Sequence, residues 1–227
     1  MEEDMQNKNP KFYLGLVVML GALWGLSEAA LGMYLKRCAS NVSGSLMTGV
    51  ALLFIGASWI ISKRILGVAL LILIASLIKM FDALLLGYPI LHGAIANPIF
   101  AFITEGAAFL LVLTILKDRL KRTPTGQALA GGMAALLAAN LFPLVRFATG
   151  IPACVIPGTA YPLSLYYMHY AVLVSLITLP AGMWIGTKIE EFTAVTTDAR
   201  LSRKLNAVFS PAIVLGCLVI MVLIRLG

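Results

Sequence analysis

The chain has 227 residues, of which 60% are hydrophobic and 12% charged, and it carries a formal net charge of +7. No soluble domain of this length needs so much apolar surface, and no long polar stretch leaves room for one. The positive charge gathers in short loops, so it reads as an orientation signal and not as a nucleic-acid footprint.

A bilayer core is crossed by about 20 apolar residues in a helix. The apolar runs are continuous and do not alternate with polar residues, which disfavours a barrel. The prediction is an all-α fold: a polytopic membrane helix bundle with six to seven transmembrane helices and a cytoplasmic N-terminus. Residues 1–11 read as a polar cytoplasmic tail, without the basic segment and cleavage site of a secretory signal. Helices are expected at 12–35, 46–61, 65–87, 89–116, 127–148 and 163–186, forming a six-helix substrate-binding bundle over 12–187. The second is short for a bilayer of about 30 Å and is read as thin or partly buried. A loop at 188–207 then leads to a seventh span at 208–227, which contains Pro211 and Arg225.

Basic residues fall in the loops 62–64, 117–122 and 188–204, and alternation puts these on one side. The loops 87–91 and 149–162 carry no charge, although Lys36 and Arg37 dissent. The positive-inside rule makes the basic side cytoplasmic and places the protein in the cell (inner) membrane.

Five of the apolar runs carry ionisable or amide groups where a lipid-facing helix would carry none: Glu28, Lys79, Asp82, His92, Asn97, Glu105, Asn140, Arg146 and His169. A charge near the bilayer centre costs roughly 2.5–3.5 kcal/mol on insertion scales, so such groups face the interior and partner one another or a ligand. At about 1.5 Å rise per residue, Glu28, Lys79, Asp82, His92, Asn97, Asn140, Arg146 and His169 fall in the outer part of the bundle. Glu105 lies deeper. These depths predict one outward-facing pocket, with Trp24 and Tyr166 as aromatic wall and the cluster near neutral when Glu28 and Asp82 balance Lys79 and Arg146.

Each group also has a structural reading. Lys79 and Asp82 are three apart and can pair with each other. Arg146 can snorkel, and the tyrosines 161, 166, 167 and 170 can form an interfacial belt. Of these, Tyr166 and Tyr170 share a helix face with His169. Gly21, Gly25, Glu28 and Gly32 share a face of the first helix, where small residues let helices pack closely. Glu105, away from the basic residues, is expected to carry a proton or to hydrogen-bond to a neighbouring helix. The segment Trp24-Gly-Leu-Ser-Glu28-Ala-Ala is faintly echoed by Phe102-Ile-Thr-Glu105-Gly-Ala-Ala on a helix of opposite direction. Secondary transporters use inverted repeats of that kind, and chance matching of common apolar letters gives the same echo.

The sequence holds no metalloprotease, nucleophile-elbow or phosphate-cradling motif, so an enzyme is not expected. Cys38, Cys154 and Cys217 lack metal-binding spacing, so neither a metal nor a cofactor is expected.

The size, the orientation, the stripe Gly21, Gly25 and Ala29, and the uncharged loop above the polar cluster resemble the substrate-binding S components of energy-coupling factor vitamin transporters. That resemblance implies capture of a small polar or heterocyclic micronutrient. It also implies a coupling subunit, driven by ATPases, that docks on Gly21, Gly25 and Ala29. A seventh span departs from the usual six, and glycines stand where the family has alanines. Two other readings stay open: a stand-alone secondary transporter or channel with Glu105 or Glu28 as proton or cation site, and a structural or assembly protein whose charges merely pair.

Overall fold

The computed structural model describes the backbone of residues 10–38, 40–116, 123–151, 153–156, 158–195 and 199–226. It describes the side chains of residues 13–32, 43–116, 123–151, 153–156, 158–193 and 209–226. The basic loop 117–122, the first nine residues, and the side chains of Lys36, Arg37 and Cys38 lie outside this description.

Seven long helices follow one another: α1 Pro10–Cys38, α2 Ser40–Ser62, α3 Ile65–Leu86, α4 Gly93–Ile115, α5 Pro124–Leu141, α6 Leu163–Val195 and α7 Ala199–Leu226. All seven contain a stretch long and apolar enough to cross a membrane. The fold is an all-α membrane helix bundle.

Local chemistry sets the helix ends. Gly87 takes a left-handed conformation (φ 65°) after α3, and its N–H returns to the carbonyls of Ala83 and Leu84. His92 caps α4 by accepting from the Ala94 N–H at 3.2 Å. Thr123 caps α5 by accepting from the Gly126 N–H at 3.1 Å, with Pro124 in the first turn.

Several expected boundaries move. The second helix begins at Ser40 and has 23 residues, so it is not short. Ser45 and Thr48 are buried in the bundle and do not end the helix. The fifth is interrupted, because Pro143 has no N–H to continue the ladder. A 3-10 turn at Phe142–Leu144 and a short helix at Val145–Thr149 follow it. The expected loop 188–207 is largely helical. Here α6 continues to Val195, held by a Lys188–Glu191 pair of 2.7 Å at helical spacing, and α7 starts at Ala199.

The α2–α3 turn and the far end of α6 lie together, tied by Lys63 Nζ to Glu190 Oε1 at 2.8 Å. This is the basic end of the bundle. At the opposite end the segment after Gly150 forms a small hairpin. There Val155 bridges Pro162, the Ile156 N–H donates to Tyr161 O at 3.0 Å, and the Leu163 N–H donates to Cys154 O at 2.8 Å.

Helix α2 is central and packs on α1, α3, α4, α5 and α6. Its seam with α6 is tight enough that a Cβ on Gly182 would strike the backbone of Leu53. The main core gathers Trp24, Leu52, Ile55, Leu71, Phe102, Phe109 and Leu179. Helix α7 sits to one side against α1 and α3, where Ala22, Ala29, Ile78, Cys217 and Met221 form a second cluster.

Candidate functional site

The polar residues divide into an ion-paired group, an interior cavity and a surface set. The first group joins α3 to α7. Asp82 is fully buried, and Arg225 grips it with both arms of its guanidinium: Nε to Oδ1 at 2.6 Å and a terminal nitrogen to Oδ2 at 2.8 Å. Lys79 Nζ reaches the same Oδ2 at 3.2 Å. The expected Lys79–Asp82 pairing is present, but the expected charge balance is corrected. Arg225, and not Arg146, is the second cation, and Arg146 is exposed on the short helix after Pro143. An Arg isolated in an apolar run needs a buried anion, and that signal marks Arg225 in the sequence.

The second group lies in the interior, where α1 meets α4. The Trp24 and Phe102 rings touch, with centroids 4.6 Å apart and planes tilted by 51°. The two aromatic residues of the faint sequence echo therefore meet in space. Its two carboxylates also approach: Glu28 and Glu105 are 7% and 5% exposed, and the charge of Glu28 acts on Glu105.

Glu105 accepts a hydrogen bond from the Thr48 hydroxyl of α2, the bond to a neighbouring helix that its burial calls for. It faces a cavity of about 20 Å³ lined also by Thr48, Thr104 and Tyr167, with Ala138, Ala139 and Phe142 of α5 as apolar wall. Among the described residues Glu105 forms no ion pair.

Tyr167, expected in the interfacial belt, is instead part of the interior, which corrects that expectation. It turns inward, and a Cβ on Gly44 of α2 would collide with its ring. Glu105, Glu28 and Cys154 all act electrostatically on its hydroxyl. The small residues Ser164, Ala171, Ser175, Gly182 and Gly186 mark the buried face of α6, and Tyr167 falls on it. Tyr166 and Tyr170 are half exposed on the opposite face.

The surface set does not reach the cavity. His92 is exposed and stacks on Tyr88 with centroids 4.2 Å apart. Asn140 is exposed, with its amide donating to Leu136 O at 2.7 Å and Met168 Sδ at 3.1 Å. His169 is exposed against the Tyr170 ring at 3.9 Å. Asn97 is partly buried, and its Oδ1 has no partner. The single pocket expected for Glu28, Asp82, Asn97, Asn140 and His169 is thus corrected. Asp82 turns to α7, Asn140 and His169 lie on the surface, and Glu28 approaches Glu105.

The small-residue stripe on α1 is an internal seam. A Cβ on Gly21 would lie 2.8 Å from Ile74 Cβ, and one on Gly25 would lie 2.6 Å from Ile78 Cβ. Ala29 is 1% exposed, within the cluster shared with α7. Gly21, Gly25 and Ala29 are therefore covered by this chain itself.

Among the described residues no three His, Cys, Asp or Glu side chains cluster as metal ligands. Comparison with protein-family models, with curated proteins and with solved structures finds no match to this chain.

Proposed function

We propose that this multi-pass membrane protein is a self-sufficient secondary transporter or channel in which Glu105 takes up a proton or a small monovalent cation. The observation that supports this is the setting of Glu105. It is a buried carboxylate in mid-bundle, hydrogen-bonded by Thr48 and facing a small cavity lined in part by Thr48, Thr104 and Tyr167. Lys79 and Arg225 are engaged by Asp82. An ionised carboxylate in low dielectric is retained only with a compensating positive charge, and an arriving ion supplies it.

The size of the Glu105 cavity favours this reading over vitamin capture at that site. About 20 Å³ holds roughly one water or a bare ion, whereas small-molecule sites run to roughly 300–1,000 Å³. The meeting of α1 and α4 at Trp24 and Phe102 also suits a bundle whose two halves move against each other.

The test is ion flux into proteoliposomes under an imposed gradient. Wild-type protein is expected to carry flux and Glu105→Gln to lose it, with the surface variants Arg146→Ala and His169→Ala unaffected. Flux that survives in Glu105→Gln contradicts the reading.

The second reading keeps the vitamin S component, with a coupling subunit and ATPases as partners. What favours it is the hairpin at the uncharged end, which leads directly into α6 and brings Cys154 near Tyr167. Native mass spectrometry of gently purified protein separates the two. A retained small molecule supports capture, and a ligand-free chain with Glu105-dependent flux supports the ion site.

A further inference from the structure

We propose that the groove between α1 and α7 holds an anionic phospholipid of the leaflet at the basic end, with an acyl chain along the groove and the phosphate at the level of Lys11, Arg203 and Lys204.

Helix α7 is the least buried of the seven spans and packs chiefly on α1. Between the two runs a groove of about 430 Å³, walled by Val18 of α1 and by Ser210, Pro211, Val214, Leu215 and Leu218 of α7. The Ser210 hydroxyl donates to the Gly15 carbonyl at 3.2 Å, so the one polar side chain in the wall is satisfied inside the protein. The rest of the wall is apolar and lies within the span Phe209–Leu226, with Leu215 62% exposed toward the bilayer. An unfilled groove forfeits dispersion contacts, and the apolar group at hand in a bilayer is a lipid chain.

The Ser210–Gly15 bond also sets the register of the two helices. Both run from the basic end toward the hairpin end, since α1 precedes α2, which ends at the Lys63 turn, and α7 follows the far end of α6. Toward the basic end, Lys11 is seven residues before Val18, and Arg203 and Lys204 are seven before Ser210 and Pro211. Seven residues are two turns, so these positions stand on the groove side of their helices. Arg203 and Lys204 precede the span that starts at Phe209 by about 8–9 Å of helix, which carries them to headgroup depth. Neither helix has an acidic residue between these positions and the groove.

An apolar slot with basic positions two turns away matches the two ends of an anionic phospholipid. A zwitterionic lipid supplies the chain but brings its own cation to the basic positions. A neighbouring apolar helix would fill the slot and leave the basic positions without an anion.

The test is native mass spectrometry of the full chain in detergent, with phosphatidylglycerol and phosphatidylcholine of identical chains added in turn. Wild-type protein should retain one phosphatidylglycerol severalfold better than phosphatidylcholine. Lys11→Gln, Arg203→Gln and Lys204→Gln combined should erase that preference, and Arg64→Gln, exposed at the same end, should keep it. Val214→Phe with Leu218→Phe fills the groove and should lower retention of both lipids, whereas Ile220→Phe, half-exposed on the side of α7 away from Pro211, should not. Equal retention of the two lipids by wild type overturns the proposal, as does an undiminished preference in the triple variant. A dimer that the groove-filling variant abolishes assigns the groove to a second copy and overturns it as well. Should the groove-filling variant not be monodisperse, the triple variant decides, because its changes lie outside the spans.

Discussion

Arg225 of α7 closes on Asp82 of α3 through two hydrogen bonds of 2.6 and 2.8 Å, around a carboxylate with no exposed surface. The same carboxylate holds Lys79, so one anion serves two cations. Removing the shared partner is therefore worse than removing either cation. Asp82→Asn should destabilise by about 3–5 kcal/mol, since it leaves two buried charges unpaired. Arg225→Met should cost about 1–3 kcal/mol, because Lys79 stays with Asp82. Thermal unfolding in detergent measures both, and an Arg225→Met variant as stable as wild type would remove the link between α3 and α7.

A second prediction concerns the seam between α1 and α3. A methyl group at Gly25 would lie 2.6 Å from Ile78 Cβ, closer than packed atoms approach, so Gly25→Ala should cost about 1–3 kcal/mol by overpacking. Gly216 on α7 has nothing within 4 Å of the equivalent position. Gly216→Ala should be neutral or gain roughly 0.5–1 kcal/mol from helix propensity. The midpoint temperatures of the two variants should separate in opposite directions, and equal shifts would contradict the seam.

The architecture was legible because bilayer-length apolar runs leave few alternatives, and Ile65–Leu86 was placed almost to the residue. The boundaries that moved were those where polar residues stay helical, as at Ser40–Ser62 and beyond Gly186 on α6. The site was legible only in part. Depth along a helix is readable from residue count, so the outer polar layer could be listed. Rotation about the axis decides whether a group at that depth meets the interior or the surface. That rotation sent Asn140 and His169 outward, brought Tyr167 inward, and turned Asp82 toward an arginine more than a hundred residues away. Thr48 and Thr104 passed unnoticed because an isolated threonine in an apolar run carries no signal until its neighbours on other helices are known.

Topology yields a third prediction. The Lys63–Glu190 pair puts the α2–α3 turn and the end of α6 on one side, opposite the hairpin. If the basic end is cytoplasmic, a cysteine at Gly158 should label from outside intact cells and one at Thr125 should not. The reverse pattern would invert the orientation of the bundle.

The Thr48–Glu105 hydrogen bond gives a fourth. Thr48→Val keeps the shape and removes the donor, leaving the carboxylate short of a partner at a cost of about 1–3 kcal/mol. Flux should fall without being abolished, because Glu105 itself remains. Unchanged flux together with unchanged stability would take Thr48 out of the site.

The central claim is that the Glu105 carboxyl gains and loses an ion inside the bundle, and difference infrared spectroscopy of the reconstituted protein tests it most directly. A pH step or cation addition should change a carboxyl band in the wild type and in Asp82→Asn, and that change should vanish in Glu105→Gln. A band change that persists in Glu105→Gln and disappears in Asp82→Asn would move the ion to the α3–α7 cluster and contradict the account.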